Sequence, residues 1–128
     1  MLVLDPKIWL LWAEYDLKAA RVLLQQPEAL VPPSLYHSQQ CAEKSFKAYL
    51  CFKKQNVAKT HDLVFLLNLC KQFDAEFEAL KPAAIDLDPF ITSSRYPDTS
   101  FAIPDVTTAT ISYKQAESIF NFVRNKCC

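Results

Sequence analysis

The 128-residue sequence contains no glycine. Tight hairpin turns, Rossmann dinucleotide loops, P-loops and nucleophile elbows all draw on glycine, for positive φ or for close approach of the backbone. Its absence argues against a turn-rich β fold and against a glycine-rich phosphate cradle. An excess of charge is missing too. Fourteen Lys and Arg balance fourteen Asp and Glu, which removes the global basic signature of an electrostatic nucleic-acid binder and leaves only a local patch. No charge-free apolar run approaches the roughly 18 residues that mark a membrane-spanning helix. The N-terminal Met-Leu-Val-Leu-Asp-Pro-Lys lacks the basic start and apolar stretch of a secretory signal. These absences predict a soluble, cytoplasmic protein with no membrane partner. The five cysteines include no CxxC pair. Cys41 and Cys51 lie about 15 Å apart if the segment between them is helical, too far to pair. With only His37 and His61 besides, neither a metal nor another cofactor is expected.

What is present is apolar and periodic. Hydrophobic residues make up 51% of the chain and eight prolines punctuate it, so an all-helical single domain over residues 1–128 is expected, with proline at helix ends. Asp5 and Pro6 read as cap and first residue of an opening helix that should end near Pro27. It carries two apolar stripes, Ile8, Trp12, Tyr15, Ala19 and Val22 on one side and Leu10, Ala13, Leu17, Ala20 and Leu24 on the other, which predicts packing on both. A second helix runs from about Pro32 to Lys54, with Leu35, Ala42, Phe46, Tyr49 and Leu50 inward. Thr60 looks like the cap of a third, with Leu63, Leu66, Leu67 and Cys70 inward. A fourth helix is expected around 74–88, interrupted by Pro82. From Asp88 to Pro104 three prolines break the pattern, predicting an ordered irregular loop anchored by its aromatic residues. The last helix starts near Asp105, with Val106, Tyr113, Phe120 and Cys127 in a heptad seam behind which Ala109, Ala116 and Val123 repeat. Ile111, Ile119 and Phe122 fall opposite, so this helix is either central or offers a dimer surface.

Three clusters could carry chemistry. His37, Gln40, Lys44 and Lys47 share a face of the second helix, where an imidazole, an amide and two ammonium groups could hold a phosphate backbone. Equally, this is a solvated face, with Glu43 and Lys47 as a stabilising i, i+4 pair. In Lys59-Thr60-His61-Asp62-Leu63, capping explains Thr60 and Asp62 and leaves His61 over. Ser94-Arg95-Tyr96-Pro97-Asp98 places a guanidinium beside a ring and a carboxylate, a set that binds phosphate or stacks on a base, or else pins the loop to a helix. Asp86 and Asp88 alternate and read as a solvated turn.

Taken together, Ala13-Glu14-Tyr15-Asp16-Leu17-Lys18-Ala19-Ala20, the run Tyr36 to Leu50, Lys59-Thr60-His61-Asp62-Leu63 and Ser94-Arg95-Tyr96-Pro97-Asp98 resemble the HEPN family (higher eukaryotes and prokaryotes nucleotide-binding domain), of the prokaryotic single-domain type. The resemblance implies an antiparallel up-and-down bundle of four to five helices with an irregular loop before the last. It also implies a cytoplasmic homodimer often encoded beside a minimal nucleotidyltransferase, as in toxin–antitoxin or defence pairs. Many members resemble metal-independent ribonucleases built on an Arg-x4–6-His motif. Here Arg95 is followed by Tyr-Pro-Asp-Thr-Ser-Phe and no histidine. The leading expectation is therefore binding of a nucleotide, RNA or a nucleotidyltransferase partner, with His37, Gln40, Lys44, Lys47, His61, Arg95, Tyr96 and Asp98 as candidate ligand residues. An RNase with an altered site around His61 and Arg95, and a non-catalytic dimeric interaction module, are the alternatives.

Overall fold

The computed structural model describes residues 5–57, 59–93 and 102–127, and all regular structure among them is helical. Helix α1 (Pro6–Leu24) starts as its sequence indicates, with Asp5 Oδ1 accepting from the Lys7 N–H at 2.8 Å and proline in the first turn. A short connection leads to α2 (Val31–Phe52), again with proline in the first turn. Ser34 Oγ donates to the Ala20 carbonyl at 2.9 Å, while Lys47 lies over Trp9. The end of α1 thus meets the start of α2, and the two helices run antiparallel. Small residues at Ala13, Ala20, Ser34, Ser38 and Ala42, all buried, let them approach closely.

The α2 terminus is where the missing glycine has a structural consequence. The Gln55 N–H reaches the Leu50 carbonyl and the Lys54 N–H the Cys51 carbonyl, the two bonds of a Schellman cap. That motif needs a left-handed residue, and Lys54 fills it at φ 59°. For a side chain with a Cβ this conformation costs roughly 1–2 kcal/mol. Lys54→Gly is therefore expected to stabilise the fold by about 1 kcal/mol, read as a higher urea midpoint at unchanged slope; an unchanged midpoint would show that the cap is strain-free.

Helix α3 (Leu63–Lys71) buries Leu63, Leu66, Leu67 and Cys70 as expected. Its cap is Asp62, not Thr60: Asp62 Oδ1 accepts from the Phe65 N–H at 3.0 Å, and Thr60 Oγ1 supports the Asp62 N–H from one step earlier. Beyond it, the expected single helix over 74–88 is two pieces, a 3₁₀ segment (Ala75–Leu80) and α4 (Lys81–Leu87). Pro82 opens α4 instead of interrupting a helix, because the first turn has no use for its missing N–H. Asp86 and Asp88 are not a mere solvated turn. Asp86 accepts from Gln115 at 2.9 Å, and Asp88 from the Leu63 N–H at 2.9 Å. Burial pushes the Asp88 carboxyl above the usual carboxylate range, with the Leu63 N–H opposing.

Part of the stretch expected to be irregular is a short helix, α5 (Phe90–Ser93), and the remainder up to residue 101 lies outside the described residues. Helix α6 (Val106–Cys127) is capped by Asp105, which accepts from the Thr108 N–H at 2.8 Å. Its two stripes are divided, one face being buried and part of the opposite stripe exposed. Ala109, Ser112, Ala116, Ile119, Phe120 and Val123 are buried, and Phe122 packs edge-on against Phe77 at 4.9 Å between centroids. Its buried side therefore combines Ile119 with the alanine repeat, whereas Val106 and Ile111 are exposed. On α1 only the Leu10, Ala13, Leu17, Ala20 side is buried; Ile8, Trp12, Tyr15 and Val22 of the other stripe face solvent. Cys41 and Cys70 lie in the core, and burial pushes both thiols well above their ordinary range, which makes them inert.

Candidate functional site

Two carboxylates sit where helices α1, α2 and the start of α3 meet. Asp16 is only 8% exposed, on the α1 face shared with Ala13, Leu17 and Ala20. Glu43, at 4%, lies on α2. A carboxylate on a buried face is stable only if charged or hydrogen-bonding partners meet it, and each of these two finds the same pair. One Asp16 oxygen takes His37 Nδ1 at 2.8 Å and the other Lys44 Nζ. One Glu43 oxygen takes His61 Nδ1 at 2.7 Å and the other Lys47 Nζ at 3.1 Å. The seam is thus built from two copies of one arrangement, a carboxylate shared between an imidazole and an ammonium.

The second copy is held further by amides. Gln40 Nε2 donates to Glu43 Oε1 and to Gln39 Oε1, at 3.2 and 2.8 Å. The fully buried Gln39 donates in turn to the His61 carbonyl at 3.1 Å. His61 is therefore fixed both by its backbone and by its ring, although it stands outside any helix and 63% of its side chain is exposed. Because a carboxylate only accepts, Nδ1 of each imidazole carries the proton, and Nε2 is the nitrogen turned to other chemistry.

Aromatic rings flank the cations. Lys44 Nζ lies 6.0 Å from the Trp12 ring centroid, Lys47 Nζ 5.8 Å from that of Trp9, and Lys18 Nζ 5.9 Å from that of Tyr15. His37 also meets Tyr36 edge-on at 5.4 Å. Two carboxylates and two ammonium groups cancel, so the seam is neutral when both imidazoles are neutral. Each imidazole that takes a proton adds one positive charge.

Of the candidate residues read from sequence, the fold gathers His37, Gln40, Lys44, Lys47 and His61 along this seam. Arg95, Tyr96 and Asp98 lie outside the described residues. The polar face of α2 is only partly solvated: Gln40 and Lys47 are buried, whereas the His37 and Lys44 side chains remain partly exposed. Asp16 escaped sequence reasoning as a site residue, yet its signal was there: a lone carboxylate in step with Ala13, Leu17 and Ala20. Glu43 was visible only as the partner of Lys47, and Gln39 and the tryptophans carried no signal. Among the described residues, no group of three or more His, Cys, Asp or Glu side chains could hold a metal ion.

The HEPN domain family model matches residues 6–126. The chain belongs to the HEPN domain family. Similar proteins agree. "Putative toxin MJ1304" of Methanocaldococcus jannaschii is 31% identical over 101 residues, covering 74% of this chain and 65% of that relative, so the chain spans just under two thirds of its length. The crystal structure of TT1696 from Thermus thermophilus superposes with a TM-score of 0.82 at 29% identity, over 94% of this chain and 97% of the other. That of ST0689, an archaeal HEPN homologue, gives 0.77 at 28% identity, over 97% and 98%. The seam thus lies within a HEPN helical fold, and all of its residues fall inside the family match. No helix among the described residues is long and apolar enough to cross a membrane.

Proposed function

We propose that this HEPN protein is a toxin-like component that binds RNA, holding its phosphates at the α1–α2–α3 seam. The observation that carries this reading is the doubled arrangement of Asp16 with His37 and Lys44, and Glu43 with Lys47 and His61. Each carboxylate neutralises an ammonium and fixes an imidazole so that Nε2 meets the ligand. A phosphate arriving there would draw hydrogen bonds from protonated imidazoles and would share the lysines. With no glycine in the chain, side chains rather than a backbone loop must do this holding. Arg95, Tyr96 and Asp98 are proposed to add a second contact. Cytoplasmic location, homodimerisation and pairing with a minimal nucleotidyltransferase belong to the same proposal. It is supported by the family and by the relative named as a toxin.

Titrating the purified chain with fluorescently labelled RNA at low salt tests the binding. Saturable binding is expected, weakened at least tenfold in the His37→Asn and His61→Asn variants. Equal affinity in both variants and the parent would overturn the assignment of the seam.

A second reading has its own observation. An imidazole whose Nδ1–H is held by a carboxylate has a fixed tautomer and orientation, which suits general acid–base cleavage of a phosphodiester. The same titration run in EDTA reads it out: RNA cut by the parent and intact with His61→Asn supports cleavage, and RNA intact throughout excludes it.

A further inference from the structure

We propose that Gln39 is a positioning residue for His61, holding the imidazole through a closed circuit of hydrogen bonds so that Nε2 is set in place before a ligand arrives. The inference rests on the reading of the seam as the ligand site and names the residue that fixes its geometry at the His61 end.

His61 has no helix to fix it. It precedes α3, and the Phe65 N–H, which an earlier helix start would offer to the His61 carbonyl, goes to Asp62 Oδ1 at 3.0 Å. The carbonyl accepts from Gln39 Nε2 instead, at 3.1 Å. Gln39 Oε1 in turn accepts from Gln40 Nε2 at 2.8 Å, and Gln40 Nε2 also donates to Glu43 Oε1 at 3.2 Å. The same Glu43 oxygen takes His61 Nδ1 at 2.7 Å, which closes the circuit on the residue where it began. His37 needs no such brace. It lies within α2, whose own ladder holds its backbone, and its ring is held by Asp16.

The chemistry at the two ends fixes the direction of every bond between them. A backbone carbonyl and an ionised carboxylate only accept, so Gln39 must face the His61 carbonyl with its nitrogen, and the Gln40 nitrogen must serve both Gln39 and Glu43. With Gln39 turned over, its oxygen would face the carbonyl oxygen and its nitrogen the Gln40 nitrogen. Neither amide can therefore rotate alone. Both are buried, where an amide that loses its partner is costly. The acceptor that grips the His61 ring is thus tied, through two amides, to the His61 backbone. Rotation of the ring about Cα–Cβ or Cβ–Cγ would break that grip. Nε2 stays available on a side chain that is 63% exposed. A group ordered in advance does not lose that freedom on binding.

Nitrogen-15 NMR of the histidine rings in the intact chain, read beside titration with labelled RNA, tests the assignment. In the parent, His61 should show a single tautomer with the proton on Nδ1. Gln39→Met keeps the volume and cuts the circuit. Freed of its backbone anchor, the ring should leave Glu43 for part of the time and show both tautomers, while His37 keeps its parent spectrum. RNA binding should weaken about tenfold, the lower end of the range for groups that orient a ligating imidazole. The Gln39→Met/His61→Asn double variant should bind no more weakly than His61→Asn alone, because Gln39 acts through the ring that it holds. Circular dichroism and the His37 signals report that the fold is kept. Should Gln39→Met not fold, Gln40→Met cuts the same circuit at its middle and is read in the same way. An unchanged His61 tautomer in the folded variant would overturn the positioning role. Losses that multiply in the double variant would overturn it too, since Gln39 would then act by another route. RNA that fails to bind the parent would remove the reading of the seam instead, and the ring spectra alone would still decide whether Gln39 positions His61.

Discussion

Glu43→Ala is expected to destabilise the protein by about 3–5 kcal/mol, the cost of leaving a buried charge without its partner. Lys47 is the charge left behind. Its side chain is 8% exposed and the Glu43 side chain 5%, with 3.1 Å between them, so little water can compensate. The same substitution takes the acceptor from His61 Nδ1 and from Gln40, loosening the start of α3 as well. For a chain of this length the loss corresponds to a fall in melting temperature of roughly 10–20 °C. The loss shrinks if both charges go. A Glu43→Leu/Lys47→Met double variant replaces the pair with apolar volume, and recovery of most of the lost stability is expected. Thermal and urea denaturation of the two variants beside the parent measures this. A loss below about 1 kcal/mol for Glu43→Ala, the range of an exposed pair, would mean that water reaches Lys47.

Phe77→Ala should cost a similar amount, about 3–5 kcal/mol, by a different mechanism. Phe77 is fully buried, and its ring lies 6.4, 4.5 and 4.9 Å from those of Phe46, Tyr49 and Phe122. It is delivered by the 3₁₀ segment, a short element with weak hydrogen bonding of its own, so this ring, with the Lys126 pairs to Asp74 and Glu76, ties the segment to the bundle. Deleting it removes the transfer free energy of a large side chain and leaves a cavity that three neighbouring rings cannot easily close. Phe77→Leu should lose far less. The effect should also be local in hydrogen exchange, with amides of the 3₁₀ segment losing protection ahead of α2. Uniform loss would show that the segment and the bundle unfold as one unit.

The helices were legible where a local signal was sufficient. Asp5-Pro6 marks the start of α1 because capping and proline chemistry involve only neighbouring residues, and the inward set of α2 follows from its helical period. The apolar stripes of α1 were a harder case. Periodicity tells which residues share a face, but not whether another helix covers it. Ile8, Trp12, Tyr15 and Val22 repeat as cleanly as Leu10, Ala13, Leu17 and Ala20, yet only the second set is buried. The cap of α3 was misplaced by two residues because Thr60 and Asp62 are both good acceptors, and the bond to the Phe65 N–H decides between them. In the seam, His37, Gln40, Lys44 and Lys47 could be grouped from spacing alone. The arrival of His61 beside Glu43 could not, since it depends on how the chain turns back along α2 after Phe52, which no periodicity encodes.

The polar groups of the seam all come from residues 16–61, but the wall behind α2 is α6, where the Ala116 carbonyl meets the buried Cys41 thiol. That helix runs from Val106 to Cys127. At translation rates of about 5–20 residues per second, the interval between making residue 61 and finishing α6 is on the order of 3–13 s. Throughout it the nascent chain already carries Asp16, His37, Glu43 and His61, with the core beneath them still open to water. Carboxylates in water do not hold an imidazole in one place. The charged face is therefore completed only once α6 has been made, and a shorter nascent chain at the ribosome carries its residues without its geometry.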